Sequence, residues 1–238
     1  MEGECFRTIC RVLLFCFCCI INKNVVFLLV MKSEETIENR MRSMIMGWER
    51  GRIFFLDDFS VLDDPLSVRQ FICGMVDEGF VYRLARGIYC YPKISGDEFS
   101  RHYITPDAET IAYALANKEN ARIIPYGDMA AYKLGLSSMT LSMQKYLTDG
   151  SPRVISLSAT NKIYFNHTSE VKMFAFCNEK MQMLSSTLRA LGEDYFDDPE
   201  RRRKVRDIMR EIPQDDYEKD ITIPPAWVGK ILSDIWNN

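Results

Sequence analysis

Residues 64–92 place a capped amphipathic helix directly before a tight two-stranded hairpin. Asp64 can accept hydrogen bonds from the free N–H groups of the first helical turn, and Pro65 suits the first helical position. The apolar positions that follow are spaced by three or four residues, as on the buried face of a helix, and are Val68, Ile72, Met75 and Val76. Since Gly79 is typical of a helix end, the sequence predicts a helix that begins at about Pro65 and ends before Gly79.

The hairpin is predicted from an alternation of side chains after this helix. Phe80, Tyr82 and Leu84 fall on one face of a strand, because neighbouring residues of a strand point to opposite faces. Gly87 supplies a tight turn, and Pro92 ends the pairing because it lacks a backbone N–H. Two short antiparallel strands are therefore expected.

The residues before this helix complete an order of elements. A helix is predicted from its cap, Ser33, to about Trp48, and a short strand spans residues 53–56. Asp57 and Asp58 then open a brief second helix. The resulting order of helix, strand, helix, helix and hairpin is that of a winged helix, which we predict for residues 31–92.

A winged helix indicates DNA binding, because its last helix can enter the major groove. Glutamine can pair there with adenine and arginine with guanine, while arginines of the hairpin can reach phosphates. The candidate residues are Ser67, Arg69 and Gln70 for the bases and Arg83 and Arg86 for the backbone. The alternative is that the helix and hairpin only support a core or a protein interface, with outer polar residues that provide solubility.

The charge of the segment weighs against tight DNA binding. Acidic residues are frequent around the predicted interface, namely Asp57, Asp58, Asp63, Asp64, Asp77 and Glu78. Attraction to phosphate dominates the affinity for nucleic acids. A nearly neutral module should therefore bind weakly unless its basic side chains cluster or the protein dimerises, and the sequence favours a local regulator of modest affinity.

The whole chain has the composition of an ordinary globular protein. It has 238 residues, a formal net charge of -3 and 26% charged residues, which exclude a collagen-like, low-complexity or wholly disordered chain. Its length allows one large or two small domains, and two are preferred. We expect an α+β fold, in which a polar linker at residues 93–104 joins the winged helix to a mixed helix and antiparallel-sheet domain with C-terminal helices at residues 105–238.

In the second half, turn residues separate helical from extended segments. The predicted helices are at about residues 105–118, 129–134, 178–192, 198–212 and 226–236. A short strand is predicted at residues 122–125, and three further strands at residues 145–148, 153–158 and 162–168. These three strands are expected to form a small antiparallel sheet.

Residues 1–30 differ in kind from the rest of the chain, with two apolar runs split by Asn22-Lys23-Asn24 and five of the eight cysteines. Three interpretations stay open. The natural start is Met31, or a membrane helix tolerates the polar triplet near its middle, or a signal peptide is cleaved although no small-x-small site follows. The start at Met31 is the preferred interpretation, and a membrane location is not expected. The remainder of the chain has few cysteines, which fits a protein of the reducing cytoplasm.

No motif of the chain indicates catalysis. Only His102 and His167 are present, and neither is at ligand spacing from a cysteine or a second histidine, so no metal site is predicted. Glycine-rich phosphate loops and the hydrolase nucleophile motif do not occur. Paired acids such as Asp197-Asp198 could hold Mg²⁺, but each pair lies at a helix start or in a loop, where aspartate is favoured as a cap. We expect a protein that is not an enzyme and binds no cofactor.

A basic run begins the helix predicted after Pro199. Arg201, Arg202, Arg203 and Lys204 could bind phosphate or an acidic protein surface, and they are the candidate partner-binding residues. The alternative is a solvated helix face without a partner.

Two motifs together resemble the AbiEi-like antitoxins of type IV, abortive-infection toxin–antitoxin systems. GFVYRLARGIY at residues 79–89 is similar to the hairpin of that family, and YGDMAAYKLGL at residues 126–136 is similar to a helix of its second domain. The resemblance covers about residues 31–191. It implies a transcriptional regulator in phage defence that represses its own operon by binding operator DNA, and whose second domain neutralises a nucleotidyltransferase-like toxin.

The sequence is also compatible with two other classes of function. The first is a protein-binding module whose winged helix has lost DNA contact. The second is a metal-dependent enzyme that uses an acid pair, which predicts turnover that disappears when one aspartate is replaced.

Overall fold

The structure is a computed structural model that describes residues 36–96, 102–138 and 143–237. The interpretations of residues 1–30 lie outside these ranges. Within them, every helix is too short or too polar to cross a membrane. The fold belongs to the α+β class, as predicted.

The first half contains the predicted order of helix, strand, short helix, helix and hairpin. Its elements are α1 (Ile37–Met46), β1 (Ile53–Phe55), a 3-10 helix (Leu56–Leu62), α2 (Pro65–Asp77), β2 (Tyr82–Ala85) and β3 (Ile88–Cys90). The strands form an antiparallel sheet in the order β1-β3-β2. The N-cap of α1 is Thr36 rather than the predicted Ser33, because the Thr36 hydroxyl accepts a hydrogen bond from Asn39 N at 3.2 Å.

Local contacts fix both ends of α2. Asp64 accepts hydrogen bonds from the hydroxyl of Ser67 at 2.7 Å and from its backbone N–H at 3.1 Å. These two bonds hold the pKa of the Asp64 carboxyl below its usual range. At the other end, Gly79 has a φ of 71°, a conformation that favours glycine. The helix therefore begins and ends where the sequence predicts.

The core of the first half lies between α1, α2 and the three-stranded sheet. The rings of Phe54 and Phe59 meet edge-on with their centroids 5.9 Å apart. The ring of Tyr89 stacks on that of Phe54 at 5.7 Å. Such aromatic packing joins the sheet to the 3-10 helix, and Val68, Ile72 and Met75 of α2 are buried in the same cluster.

Residues 93–104, predicted to be a polar linker, contain two short strands. β4 (Lys93–Ser95) and β5 (His102–Ile104) pair antiparallel with each other, and their residues are exposed. The ring centroid of Tyr103 lies 5.1 Å from that of Tyr82 on β2. The segment thus contacts the hairpin, while the division of the chain into two domains stays a prediction.

The second half is built around a four-stranded sheet. Its elements up to the last strand are α3 (Ala108–Lys118), β6 (Ile123–Pro125), α4 (Asp128–Lys133), β7 (Met143–Thr148), β8 (Arg153–Ser156) and β9 (Lys162–His167). The strand order is β6-β7-β9-β8. One pair departs from the predicted antiparallel arrangement, since β7 and β9 run parallel, whereas β6-β7 and β8-β9 are antiparallel.

The strand order reflects which strands have side chains to bury. Ile163 and Phe165 on β9 are buried beside Tyr146 of β7, so β9 takes a central position. β8 leaves Val154 53% exposed and lies at the edge. Because the chain passes from β7 to this edge strand before it returns as β9, the two central strands run in the same direction.

The C-terminal helices form a core of their own. The elements are a 3-10 helix (Val171–Phe174), α5 (Glu179–Leu191), a 3-10 helix (Glu193–Phe196), α6 (Pro199–Arg210), α7 (Gln214–Asp220) and α8 (Ala226–Asn237). Leu188, Val205 and Leu232 are fully buried between them. α7 is absent from the sequence prediction, because its seven residues bury only Tyr217 and Asp220 and show no apolar spacing. The Tyr217 ring stacks on that of Trp236 at 4.0 Å.

A further cluster of buried residues joins the two halves of the chain. Phe55 of β1 and Ile88 of β3 belong to the same cluster as Ile111 of α3. The ammonium group of Lys118 lies 4.6 Å from the centre of the Phe55 ring and forms an ion pair with Asp57 at 2.9 Å. The first half therefore packs directly against α3.

The N-cap of α3 predicts part of the pH dependence of stability. The hydroxyl and the N–H of Thr110 donate hydrogen bonds to Asp107 and hold the pKa of its carboxyl below the usual range. A lowered folded-state pKa gives stability that is complete above the unfolded pKa and is lost as the pH falls through the folded one. Asp107→Asn keeps a good cap, so we expect little change at neutral pH and a smaller loss of stability on acidification.

Urea unfolding of the two proteins between about pH 6 and pH 3 measures this difference. Asp77→Asn is the control, since the Asp77 side chain is exposed and makes no hydrogen bond to another described residue. If Asp107→Asn and the parent chain lose stability equally on acidification, the cap does not contribute in this way.

Candidate nucleic-acid interface

The outer face of α2 is the set of its residues that point away from the core. Val68, Ile72 and Met75 are buried, and helical spacing places the exposed residues on the opposite side. These exposed residues are Leu66, Arg69, Gln70, Cys73, Gly74 and Asp77. A partner that lies along α2 therefore meets Leu66, Gln70 and Asp77 at the centre of this face and Arg69 at its edge.

Tyr89 connects this face to the hairpin. It is only 5% exposed, and it lies opposite Arg83 in the pairing of β2 with β3. Burial raises the pKa of its hydroxyl, while the positive charges of Arg83 and, more weakly, Arg69 act in the opposite direction. Since Tyr89 is buried in the same cluster as Val68 and Ile72, the hairpin position that carries Arg83 lies on the side of the sheet that packs against α2.

Four of the five predicted DNA-binding residues are available for a partner. Arg69, Gln70, Arg83 and Arg86 are exposed and make no hydrogen bond or ion pair with another described residue. Ser67 differs from them, because it is half-buried and its hydroxyl donates a hydrogen bond to Asp64. The position of Ser67 therefore suits it to holding the start of α2.

The charge around this face is balanced rather than positive. Residues 36–96 carry eight Lys and Arg and eight Asp and Glu residues. Arg42 is in addition engaged by Glu38 at 2.9 Å and by Glu78 at 2.6 Å. Long-range attraction of phosphate to the first half is therefore weak.

Leu66 lies on the candidate interface, although it is not among the residues predicted from the sequence. Its side chain is 77% exposed, and it lies one turn before Arg69 and Gln70. An apolar side chain at such a position can contact the methyl group of thymine. The signal in the sequence is that Leu66 lies outside the apolar stripe formed by Val68 and Ile72.

The candidate partner-binding residues of α6 divide into engaged and available ones. Arg201 donates a hydrogen bond to the backbone oxygen of Tyr195 at 3.1 Å, and its guanidinium lies 4.5 Å from the centre of the Tyr195 ring. Lys204 forms an ion pair at 3.1 Å within the helix. Arg203 is exposed and Arg202 half-buried, and neither makes a hydrogen bond or ion pair with another described residue.

The remaining chemical candidates have local structural contacts. Asp58 accepts a hydrogen bond from Phe55 N at 2.7 Å, and Asp198 accepts one from Arg201 N at 2.9 Å. His167 Nδ1 lies 2.9 Å from a backbone carbonyl oxygen. In the part of the chain that the structure describes, three or more His, Cys, Asp or Glu residues nowhere come together as metal ligands.

Comparison with known proteins gives one match. A model described as a family of unknown function, DUF6088, matches residues 37–217. The matched range includes the whole of the interface described above as well as α6. No curated protein and no solved structure matches the chain significantly.

Proposed function

Because this chain belongs to the DUF6088 family, whose function is unknown, we propose a function from its own geometry: an antitoxin-like transcriptional regulator that binds DNA through a winged helix. The observation that carries the proposal is that Arg83 of β2 lies opposite Tyr89, whose ring is buried in the same cluster as Val68 and Ile72 of α2, the helix that carries Arg69. A helix and a hairpin can contact one duplex together only if their basic groups lie on the same side. This packing supports that arrangement.

Each exposed residue has a defined role in the proposed complex. Arg69 and Gln70 donate hydrogen bonds to base edges in the major groove, and Leu66 contacts a thymine methyl group. Arg83 and Arg86 bind phosphates beside the groove and set the register of the protein on the duplex. Because the charge of residues 36–96 is balanced, the contribution of the first half to the complex depends on these few contacts.

The proposed action is autorepression of an operon together with neutralisation of a nucleotidyltransferase-like toxin by the second half. The similarity of residues 79–89 and 126–136 to the AbiEi-like motifs supports it. Gly127 in the second motif has a φ of 62°, and a Cβ atom there would lie 3.1 Å from that of Ala190 on α5. The motif therefore allows α4 to approach α5 closely. As a regulator of transcription, the protein is placed in the cytoplasm by this proposal.

Binding of the full chain to the DNA upstream of its own gene tests the proposal. Fluorescence anisotropy compares that fragment with an unrelated duplex of equal length at two salt concentrations. Salt-sensitive binding that prefers the upstream fragment supports the regulator. Equal affinity for both fragments contradicts it.

The arginines of the hairpin give a second expected result. The Arg83→Gln, Arg86→Gln double variant should weaken binding to every duplex alike and lower the slope of log affinity against log salt by about 1.8, since each arginine neutralises one phosphate. The control is Lys172→Gln with Lys219→Gln, which removes the same charge from exposed residues of the second half. An unchanged slope in the arginine variant would mean that the hairpin does not contact DNA.

A second candidate is a protein-binding module without DNA contact. The equal numbers of acidic and basic residues in residues 36–96 favour it. It predicts that the product of a neighbouring toxin gene co-purifies with the chain, while neither the upstream fragment nor the unrelated duplex is bound.

A further inference from the structure

The charges of α6 are sorted between its two flanks. Pro199–Arg210 contains six Lys and Arg residues and two acidic ones. Because helix neighbours recur every three or four residues, four arginines share the flank next to the buried side chains of Val205 and Met209. We call these residues the arginine flank: Arg202, Arg203, Arg206 and Arg210. Lys204, Glu200 and Asp207 lie toward the other flank.

The arginine flank borders an aromatic residue of the last helix. Arg206 and Arg210 line a cavity of about 70 Å³ together with Met209, Ile235 and Trp236. The Nε atom of Arg206 is buried at this place and has no hydrogen-bond partner among the described residues. A buried donor without a partner is costly, so an oxygen atom of a bound anion would stabilise this arrangement.

The hydrogen bonds and ion pairs of the basic residues of α6 leave most of the positive charge of the arginine flank without a buried counter-charge. Lys204 is neutralised by Glu200 on the other flank, and Arg201 is held by Tyr195. The ion pair of Arg210 with Asp207, at 3.3 Å, joins side chains that are 71% and 60% exposed, so solvent and salt screen it strongly. The arginine flank therefore carries a concentrated positive field on a rigid helix.

We propose that the arginine flank binds the phosphate backbone of the DNA that the winged helix holds. This inference rests on the proposed function and deepens it. The first half carries no net charge in residues 36–96, yet attraction to phosphate supplies most of the affinity for DNA, so the same chain must provide that attraction elsewhere. Arginine, with its planar fork of donors, suits phosphate oxygens, and three of the four positions repeat at four-residue spacing along one helix.

The salt dependence of binding to an unrelated duplex tests the proposal, because backbone contacts do not need a specific sequence. In the full chain, the Arg203→Gln, Arg210→Gln variant changes two exposed side chains. We expect its slope of log affinity against log salt to fall by about 1.8, so that the loss of affinity between about 50 and about 200 mM salt becomes roughly twelvefold smaller. The Lys172→Gln, Lys219→Gln control should leave the slope unchanged.

Arg206→Met provides a second measurement. It keeps an unbranched apolar stem beside Trp236 and removes the buried donor, so the melting temperature should stay equal or rise while the slope falls by about 0.9. A residue with only a structural role would instead lower the melting temperature and leave the slope unchanged.

The outcomes separate this inference from the proposed function. Equal affinity of the parent chain for upstream and unrelated DNA contradicts the regulator, yet the slopes of the variants still decide the role of the arginine flank. Unchanged slopes in both arginine variants overturn the inference and favour an acidic protein surface as the partner. Absence of binding to any duplex at low salt overturns both.

Discussion

Replacement of Asp220 by alanine is expected to lower the free energy of unfolding by about 2–4 kcal/mol. The Asp220 carboxylate is fully buried at the end of α7. Its two oxygens accept hydrogen bonds from Cys177 N and Asn178 N, both at 2.8 Å, just before the first turn of α5. Alanine leaves both N–H groups without this acceptor and removes the tie between α7 and α5.

Urea unfolding at neutral pH measures this loss. The matched control is Asp216→Ala on the same helix. Among the described residues, the Asp216 carboxylate accepts a hydrogen bond only from the Asn178 side chain, at 3.4 Å. We therefore expect a change below about 0.5 kcal/mol. Asp220→Asn should fall between the two, because an amide keeps one acceptor. Equal stabilities of Asp220→Ala and Asp216→Ala would show that the buried carboxylate does not hold the two helices together.

Replacement of Arg69 or Gln70 by alanine is expected to cost about 1–3 kcal/mol of binding energy for the preferred DNA site, which is roughly a 5-fold to 150-fold rise in Kd. The cost should be confined to sequences that offer the matching base, because bidentate contacts to base edges discriminate between bases. Binding to unrelated DNA should change far less. The variants therefore lose specificity rather than general affinity.

Competition between the upstream fragment and single-base variants of it measures this loss. For the alanine variants, one base position should become indifferent, whereas the hairpin variant Arg83→Gln, Arg86→Gln keeps the preference at that position and binds every fragment more weakly. If Arg69→Ala and Gln70→Ala keep all base preferences of the parent chain, then α2 does not lie in the major groove.

The sequence predicts α2 and the hairpin well because their determinants are local. The cap at Asp64, the apolar spacing of Val68 and Ile72, and the turn at Gly87 each act within a few residues. The position of Arg83 opposite Tyr89, on the side of the sheet that packs against α2, is not local. It depends on how β2 pairs with β3, and that register shifts between Arg83 and Ala85.

Strand order and the packing of polar segments could not be predicted for the same reason. The alternation in β7, β8 and β9 indicates three strands, but only the burial of Ile163 and Phe165 against Tyr146 makes β9 central. Ser67 likewise has a residue type that suits base contact, and only the hydrogen bond of its hydroxyl to Asp64 shows that this group is already used.

The cluster that joins Phe55 and Ile88 to Ile111 restricts how such chains can be recombined. A chimera that carries this first half on a foreign second half would leave two large apolar side chains against a surface that does not fit them. It would also need a counterpart of Lys118 to meet Asp57. The proposed function therefore predicts that relatives with different DNA targets diverge by point substitutions on the outer face of α2, rather than by exchange of the whole first half.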